Sequence, residues 1–192
     1  HTRSLCDWSS DVCSSDLQSS LSRRHDLRSS MLVKPPRRRA ELATSKLLRY
    51  SFTDGFEVYL MNGRTKQRDN FQAAFIASSN PDLVLKNRML VKNSPLFSMG
   101  EIASHPASQT CYVPSKSYPN GYGVTSDELQ PLADQTSSGR LLTFLGIRPV
   151  RTYECTLVTI VSSKHSIATL KSFTQELLPT LALAIQASYS AH

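Results

Sequence analysis

The chain has 192 residues, 40% of them apolar and 19% charged, with 22 basic against 15 acidic side chains for a net charge of +7. Length and apolar content suit one ordinary domain with its own core, and they exclude both a wholly disordered chain and a minimal disulfide-built scaffold. No run reaches about 18 consecutive apolar residues, so no transmembrane helix is expected.

Asp7 to Leu17 read DWSSDVCSSDL, an unbroken run of eleven residues. It resembles the conceptual translation of a common sequencing adapter. The run carries the only tryptophan, Trp8, together with Cys13, and Cys6 lies just outside it. The resemblance implies that residues 1–17 are an artefact to be set aside, with the true N-terminus lost and Met31 the nearest candidate start. Removing Arg3, Asp7, Asp11 and Asp16 leaves 21 basic and 12 acidic residues. Residues 18–39, rich in Ser and Arg with Pro35-Pro36, read as a disordered basic leader. They hold seven of those cations against Asp26 alone, so residues 40–192 carry a nearly balanced 14 and 11. The high isoelectric point belongs to a tail. Arg37-Arg38-Arg39 is the one cluster suited to phosphate contacts, which would make binding salt-dependent.

From about Arg38, the spacing of Leu42, Leu47, Leu48 and Phe52 predicts a helix stopped by Asp54-Gly55. FEVYLM (Phe56 to Met61) predicts a strand, Asn62-Gly63 a turn, and FQAAFIAS (Phe71 to Ser78) a second strand, giving a hairpin over residues 56–78. Asn80-Pro81-Asp82 has the order of cap, first-turn proline and acid, and predicts a helix through Leu83, Val84, Asn87, Leu90 and Val91. Pro95 ends it. Residues 98–124 read as loop, with a short strand around Cys111 to Val113. Thr125 to Glu128 forms a capping box for a helix to about Gln135. LLTFLG (Leu141 to Gly146) and YECTLVTIVS (Tyr153 to Ser162) read as paired strands. In the second, Cys155, Leu157, Thr159 and Val161 alternate with Glu154, Thr156, Val158 and Ile160. The last helix is predicted from Ser166 to about Ala187, its apolar stripe formed by Ile167, Leu170, Phe173, Leu177, Leu178, Leu181 and Ile185, with Pro179 as a kink.

Hairpins separated by helices predict an α+β domain over residues 40–190: a single antiparallel sheet flanked by helices, a sandwich of the PAS or GAF kind. Several segments then resemble the autoinducer-binding domain of LuxR-type quorum-sensing regulators across roughly residues 42–188. DGFEVYLM resembles that family's first strand after its first helix, and Phe75 to Phe97 its strand, Asn-Tyr-Pro and helix. SSGRLLTFLGIRPVRTYECTLVTIVSS resembles its second hairpin, and LLPTLALAIQAS its closing helix. The resemblance implies a bacterial sensor domain whose DNA-binding output lies outside this chain. Where the family holds a lactone head group with Trp, Tyr and Asp, this chain has Val84, Arg88 and Ser94, so a homoserine lactone is not implied. The last 45 residues equally resemble the GAF-like region preceding some class III nucleotide cyclases.

Candidate chemistry is sparse. His25, His105, His165 and His192 have no ligand-spaced partner, so no metal or cofactor is expected. Cys111 and Cys155 form no CxxC, and as packed thiols they point to a reducing, cytoplasmic setting. Cys111, His105 and Glu128 are the candidates for an enzyme assembled in space. Gly121-Tyr-Gly123 lacks the third glycine and the context of a nucleotide loop, and Tyr118 to Gly123 is a candidate lid. In a helix-covered sheet, Tyr59, Phe75, Tyr112, Phe144 and Tyr153, with Ser94, are the residues expected to line a ligand cavity. The expected partner is a small, partly apolar molecule. Nucleic acid enters only through an output domain, no membrane contact is expected, and a homodimer is compatible.

Overall fold

The computed structural model describes residues 27–33, 47–65, 83–92, 95–113, 121–123 and 153–190. Eight strands form one antiparallel sheet, joined by a C-terminal helix: β1 (Leu27–Val33), β2 (Leu47–Phe52), β3 (Phe56–Thr65), β4 (Lys86–Val91), β5 (Phe97–Ile102), β6 (His105–Tyr112), β7 (Tyr122–Gly123), β8 (Tyr153–Ser162) and α1 (Ile167–Ser190). The spatial order is β1-β2-β3-β8-β6-β5-β4, with β7 paired to β6. The sheet is thus two ribbons in chain order, with β8 inserted between their inner strands. The α+β class and the single antiparallel sheet agree with the sequence. The two internal helices expected over 38–52 and 80–93 do not.

Residues 47–52 form a strand because their apolar side chains alternate as well as they step helically. Leu48 and Tyr50 pair with Leu60 and Val58, and all four are buried on the same face. Asp54-Gly55, read as a helix stop, is the β2–β3 turn. Gly55 has φ +96°, a conformation that side chains oppose. Asn62-Gly63, read as a turn, lies inside β3, with both residues paired to β8. The segment expected to be a disordered leader contains β1, which is fixed by its ladder to β2.

Asn80-Pro81-Asp82 opens no α-helix over the described residues: Leu83 is 3₁₀ and Lys86–Val91 are strand. Gly100 shows what draws this segment in. A Cβ there would lie 2.2 Å from the Lys86 carbonyl oxygen and 2.9 Å from Leu85 Cγ. Only a bare backbone admits so close a crossing.

The expected 98–124 loop holds β5, β6 and β7 instead. β5 and β6 are joined by Ala103-Ser104, with φ of +49° and +67°, between the paired residues Ile102 and His105. Two positive φ values in a two-residue connection are the signature of a type I′ turn, which Asn and Gly favour and Ala and Ser do not.

α1 crosses one face of the sheet. Leu170, Leu177, Leu178, Leu181, Ala182 and Ile185 are buried against Tyr50, Phe52, Phe56, Val58, Leu60, Phe97, Tyr112, Val158 and Ile160. Ile167, placed in the apolar stripe by its spacing, is half exposed, since it opens the helix. Two polar links pin the layers. Ser108 Oγ and Thr174 Oγ1 share a buried hydrogen bond of 2.8 Å, and the Tyr122 hydroxyl donates to the Leu178 carbonyl at 2.5 Å. The second face is buried as well. Leu47, Met61, Leu157 and Cys111 are at most 1% exposed, and Gln109 donates to the Leu83 carbonyl at 2.6 Å and to Thr159 Oγ1 at 3.1 Å.

Ala103→Asn with Ser104→Gly is expected to raise stability by about 1 kcal/mol or more, because both residues then suit their φ; urea denaturation measures it. Burial pushes the phenols of Tyr50 and Tyr112 up, that of Tyr112 to about 12. Burial and the neighbouring Tyr112 also raise Tyr122, against a lowering hydrogen bond from the Ala182 backbone. Raised folded-state values mean that their contribution is complete below pH ~10 and lost as pH climbs above it. Tyrosinate absorbance and circular dichroism should therefore change together above pH 10.

Candidate functional site

The β2–β3 turn meets the β8–α1 connection at one end of the sheet. Ser163 binds the Gly55 carbonyl twice, by its backbone N–H at 3.1 Å and its hydroxyl at 3.0 Å. His165 Nε2 is 2.8 Å from the Asp54 carbonyl, and its ring stacks on Phe56 at 4.7 Å between centroids. Phe56 in turn stacks on Phe173 at 3.9 Å, with the planes 7° apart. Asp54 Oδ1 accepts from the Phe56 backbone N–H at 3.4 Å. Ser166 caps α1, its Oγ accepting from the Thr169 N–H at 3.3 Å. The aromatic stack and the doubled turn make this corner rigid.

Beside it opens a cleft of about 420 Å³, lined by Arg28, Arg49, Ser51, Phe52, Thr53, Gly55, Phe56, Glu57, Ser163 and Lys164. Each charged group arrives there for a local reason. Arg28 falls at the irregularity in β1, where Leu27 faces Phe52 and Ser29 faces Ser51. The extra residue leaves the ladder, and bulges commonly re-aim a side chain in this way. Lys164 is carried by the β8–α1 connection, its stem over Gly55, where a Cβ would meet Lys164 Cδ at 2.9 Å. Arg49 and Glu57 are diagonal neighbours, because Arg49 pairs with Tyr59 and Ser51 with Glu57.

Arg49 Nη2 donates to Glu57 Oε1 in an ion pair, and the Tyr59 hydroxyl donates to Glu57 Oε2 at 2.6 Å. The Arg49 guanidinium also stands 5.8 Å from the Tyr59 ring centroid, within cation–π range. Burial pulls the Glu57 carboxyl up, but the hydrogen bonds from Tyr59 and Arg49 and the charges of Arg49 and His105 outweigh it. The group sits below its ordinary value. The hydrogen bond to Glu57 raises Arg49 against the opposing effect of burial. Burial, then the bond to Glu57 and its charge, push the Tyr59 phenol up to about 12 despite Arg49. Among the described residues three cations and one acid therefore line the cleft, the acid already committed to one of the cations.

The aromatic set expected to surround a ligand is not gathered in one place. Tyr59 shares the second face with Glu57, whereas Tyr112 lies under α1, where its ring packs 4.9 Å from Tyr122. Strand alternation separates them, since Tyr59 is in register with Thr159 and Gln109, and Tyr112 with Thr156. Phe75, Ser94 and Phe144 lie outside the described residues, as do Glu128 and the Tyr118 part of the expected lid. Tyr153 begins β8. The hydroxyls of Tyr50 and Tyr112 are buried without a hydrogen-bond partner among the described residues. Val84 and Arg88, aligned with the lactone anchors, lie beside and within β4.

Cys111 and His105 cannot form a catalytic pair. Both lie on β6, and six residues of strand hold them roughly 20 Å apart. Cys111 is fully buried and disulfide-bonded, which corrects the expectation of a packed thiol. Among the described residues no group of His, Cys, Asp and Glu is placed to hold a metal, and no helix is long and apolar enough to cross a membrane.

Arg49, Glu57 and Lys164 went unnoticed in the sequence. The signal was present: once Asp54-Gly55 is read as a hairpin turn, period-two alternation puts Arg49, Ser51, Glu57 and Tyr59 on one face. No family model matches the chain, and no curated protein or solved structure matches it either.

Glu57→Gln should remove the acid branch of the stability profile. With a depressed folded value, the wild-type contribution is present above pH ~4.5 and lost as pH falls below it. Both side chains are about a third exposed, so the difference should stay within about 1 kcal/mol; thermal melts from pH 3 to 7 read it. Gly55→Ala should cost about 1–2 kcal/mol through its φ and displace the Lys164 stem.

Proposed function

We propose that this chain is a small-molecule recognition domain whose ligand enters the cleft at the β2–β3 turn. The observation that carries the reading is the cleft itself: a concave corner in which Arg28, Arg49 and Lys164 converge with Ser51, Thr53 and Ser163. Polar groups that converge on one concavity are what fixes a ligand's orientation in a binding site. The sheet–helix interior offers less room, because the rings of Phe52, Phe56 and Phe173 stack on one another there. The sensing role expected from the sequence thus keeps its ligand class but moves to the sheet end.

A regulatory role, with an output module beyond this chain, fits such a domain and remains the reading of its biological use. The PAS- or GAF-like sandwich, the bacterial transcription regulator and the homodimer belong with that proposal. Cys111 is held in a disulfide. Cys111→Ala should lower stability by about 2–4 kcal/mol, with reduction having the same effect on the wild type; denaturation with and without reductant compares them.

Amide chemical shifts test the ligand site. A panel of small polar-aromatic molecules added to labelled protein should move the signals of Ser51 to Glu57 and of Ser163 and Lys164 first. Changes confined to the α1 layer, or none at millimolar ligand, would sink the assignment.

A further inference from the structure

We infer that the cleft selects a small organic phosphate, a conclusion that rests on the recognition role assigned above and narrows its ligand to one chemical class. The argument starts from charge. Arg28, Arg49 and Lys164 come from β1, β2 and the β8–α1 connection, so three separate backbone segments deliver cations to one corner. Random surface scatter has no reason to combine a bulge residue, a cross-strand pair and a connection residue in this way. Glu57 is the only acid on the lining among the described residues, and it already accepts from Arg49 Nη2 and the Tyr59 hydroxyl. Its charge is spent on Arg49, and Arg28 and Lys164 remain as two further positive charges facing the cleft.

Two uncompensated cations call for a ligand with close to two negative charges on one compact group, which a phosphomonoester carries near neutral pH. The hydroxyls of Ser51, Thr53 and Ser163 add donors of the kind that phosphate oxygens accept, and Arg matches a phosphate edge with a planar fork. The Tyr59–Glu57 bond keeps the acid turned to Arg49, so the carboxylate does not swing across to neutralise Lys164.

The same headgroup chemistry occurs on free metabolite-sized esters and on phosphatidic acid, and the experiment separates them. Isothermal titration of the full chain with inorganic phosphate, glycerol 3-phosphate, glycerol and vesicles containing phosphatidic acid should give binding to the two free phosphates and none to glycerol. Raising salt should weaken it, because the contacts are ionic. Lys164→Gln, on an exposed connection, and Arg28→Gln should each weaken glycerol 3-phosphate about tenfold, the loss of one charge-assisted contact. Glu57→Gln should strengthen it by removing the competing acid. Binding to vesicles alone would overturn the free-ester ligand. Glycerol 3-phosphate binding unchanged in both cation variants would overturn the site. If neutral aromatic molecules shift the cleft amides while phosphates do not, the phosphate class fails and the recognition role stands; if nothing reaches those amides, both fail.

Discussion

The structure depends on the placement of β8 between β3 and β6. A late strand enters the middle of two ribbons that are already paired within themselves, and each of its edges satisfies the open edge of one ribbon. Buried backbone N–H and C=O groups must find partners, so without β8 the edges of β3 and β6 would both lie open in the centre of the molecule. The same strand carries Val158 and Ile160 to the helix side, and Leu157 and Thr159 to the other. It thereby welds the two ribbons and starts both cores. The β8–α1 side of the cleft inherits its position from this insertion, because Ser162 is the last residue of β8 and Ser163 and Lys164 follow it directly.

Residues 153–187 were legible as a strand and a helix for that reason, although β8 pairs with β3 and β6 and not with Leu141 to Gly146 as its hairpin reading expected. Tyr153–Ser162 is a strand in the structure with the bounds its composition suggested, and Leu170, Phe173, Leu177, Leu178, Leu181 and Ile185 are the buried side of α1. A central strand and a long amphipathic helix impose strong, regular patterns. The β2 segment was ambiguous because Leu47, Leu48 and Phe52 satisfy the helical period as well as alternation, and only pairing with β3 decides between them. The β5–β6 hairpin hid for the opposite reason: its turn is Ala103-Ser104, residues that carry no turn signal although both adopt positive φ. Asn62-Gly63 misled in reverse, since a good turn dipeptide is absorbed where strands on both sides claim its backbone.

The site was harder still. Its residues are ordinary surface types, and none sits in a motif. Arg49 and Glu57 gain meaning only from a cross-strand diagonal, Arg28 only from an extra residue in β1, and Lys164 only from the glycine beneath it. Each of these is a relation between segments, and linear spacing does not record it. The tyrosines drew attention because they are conspicuous in a sequence; most of them are packing or pair with Glu57.

Arg28 and Lys164 share one small corner although most of the chain separates them. Such a meeting is established only after β8 has threaded between the ribbons and β1 has closed on β2. Pairings of this sequence separation form slowly, since the entropy of a long loop is lost before any contact rewards it. The corner is therefore among the last features a newly made chain completes, and a molecule bridging its cations would act as a latch, fastening the first strand to the start of the last helix.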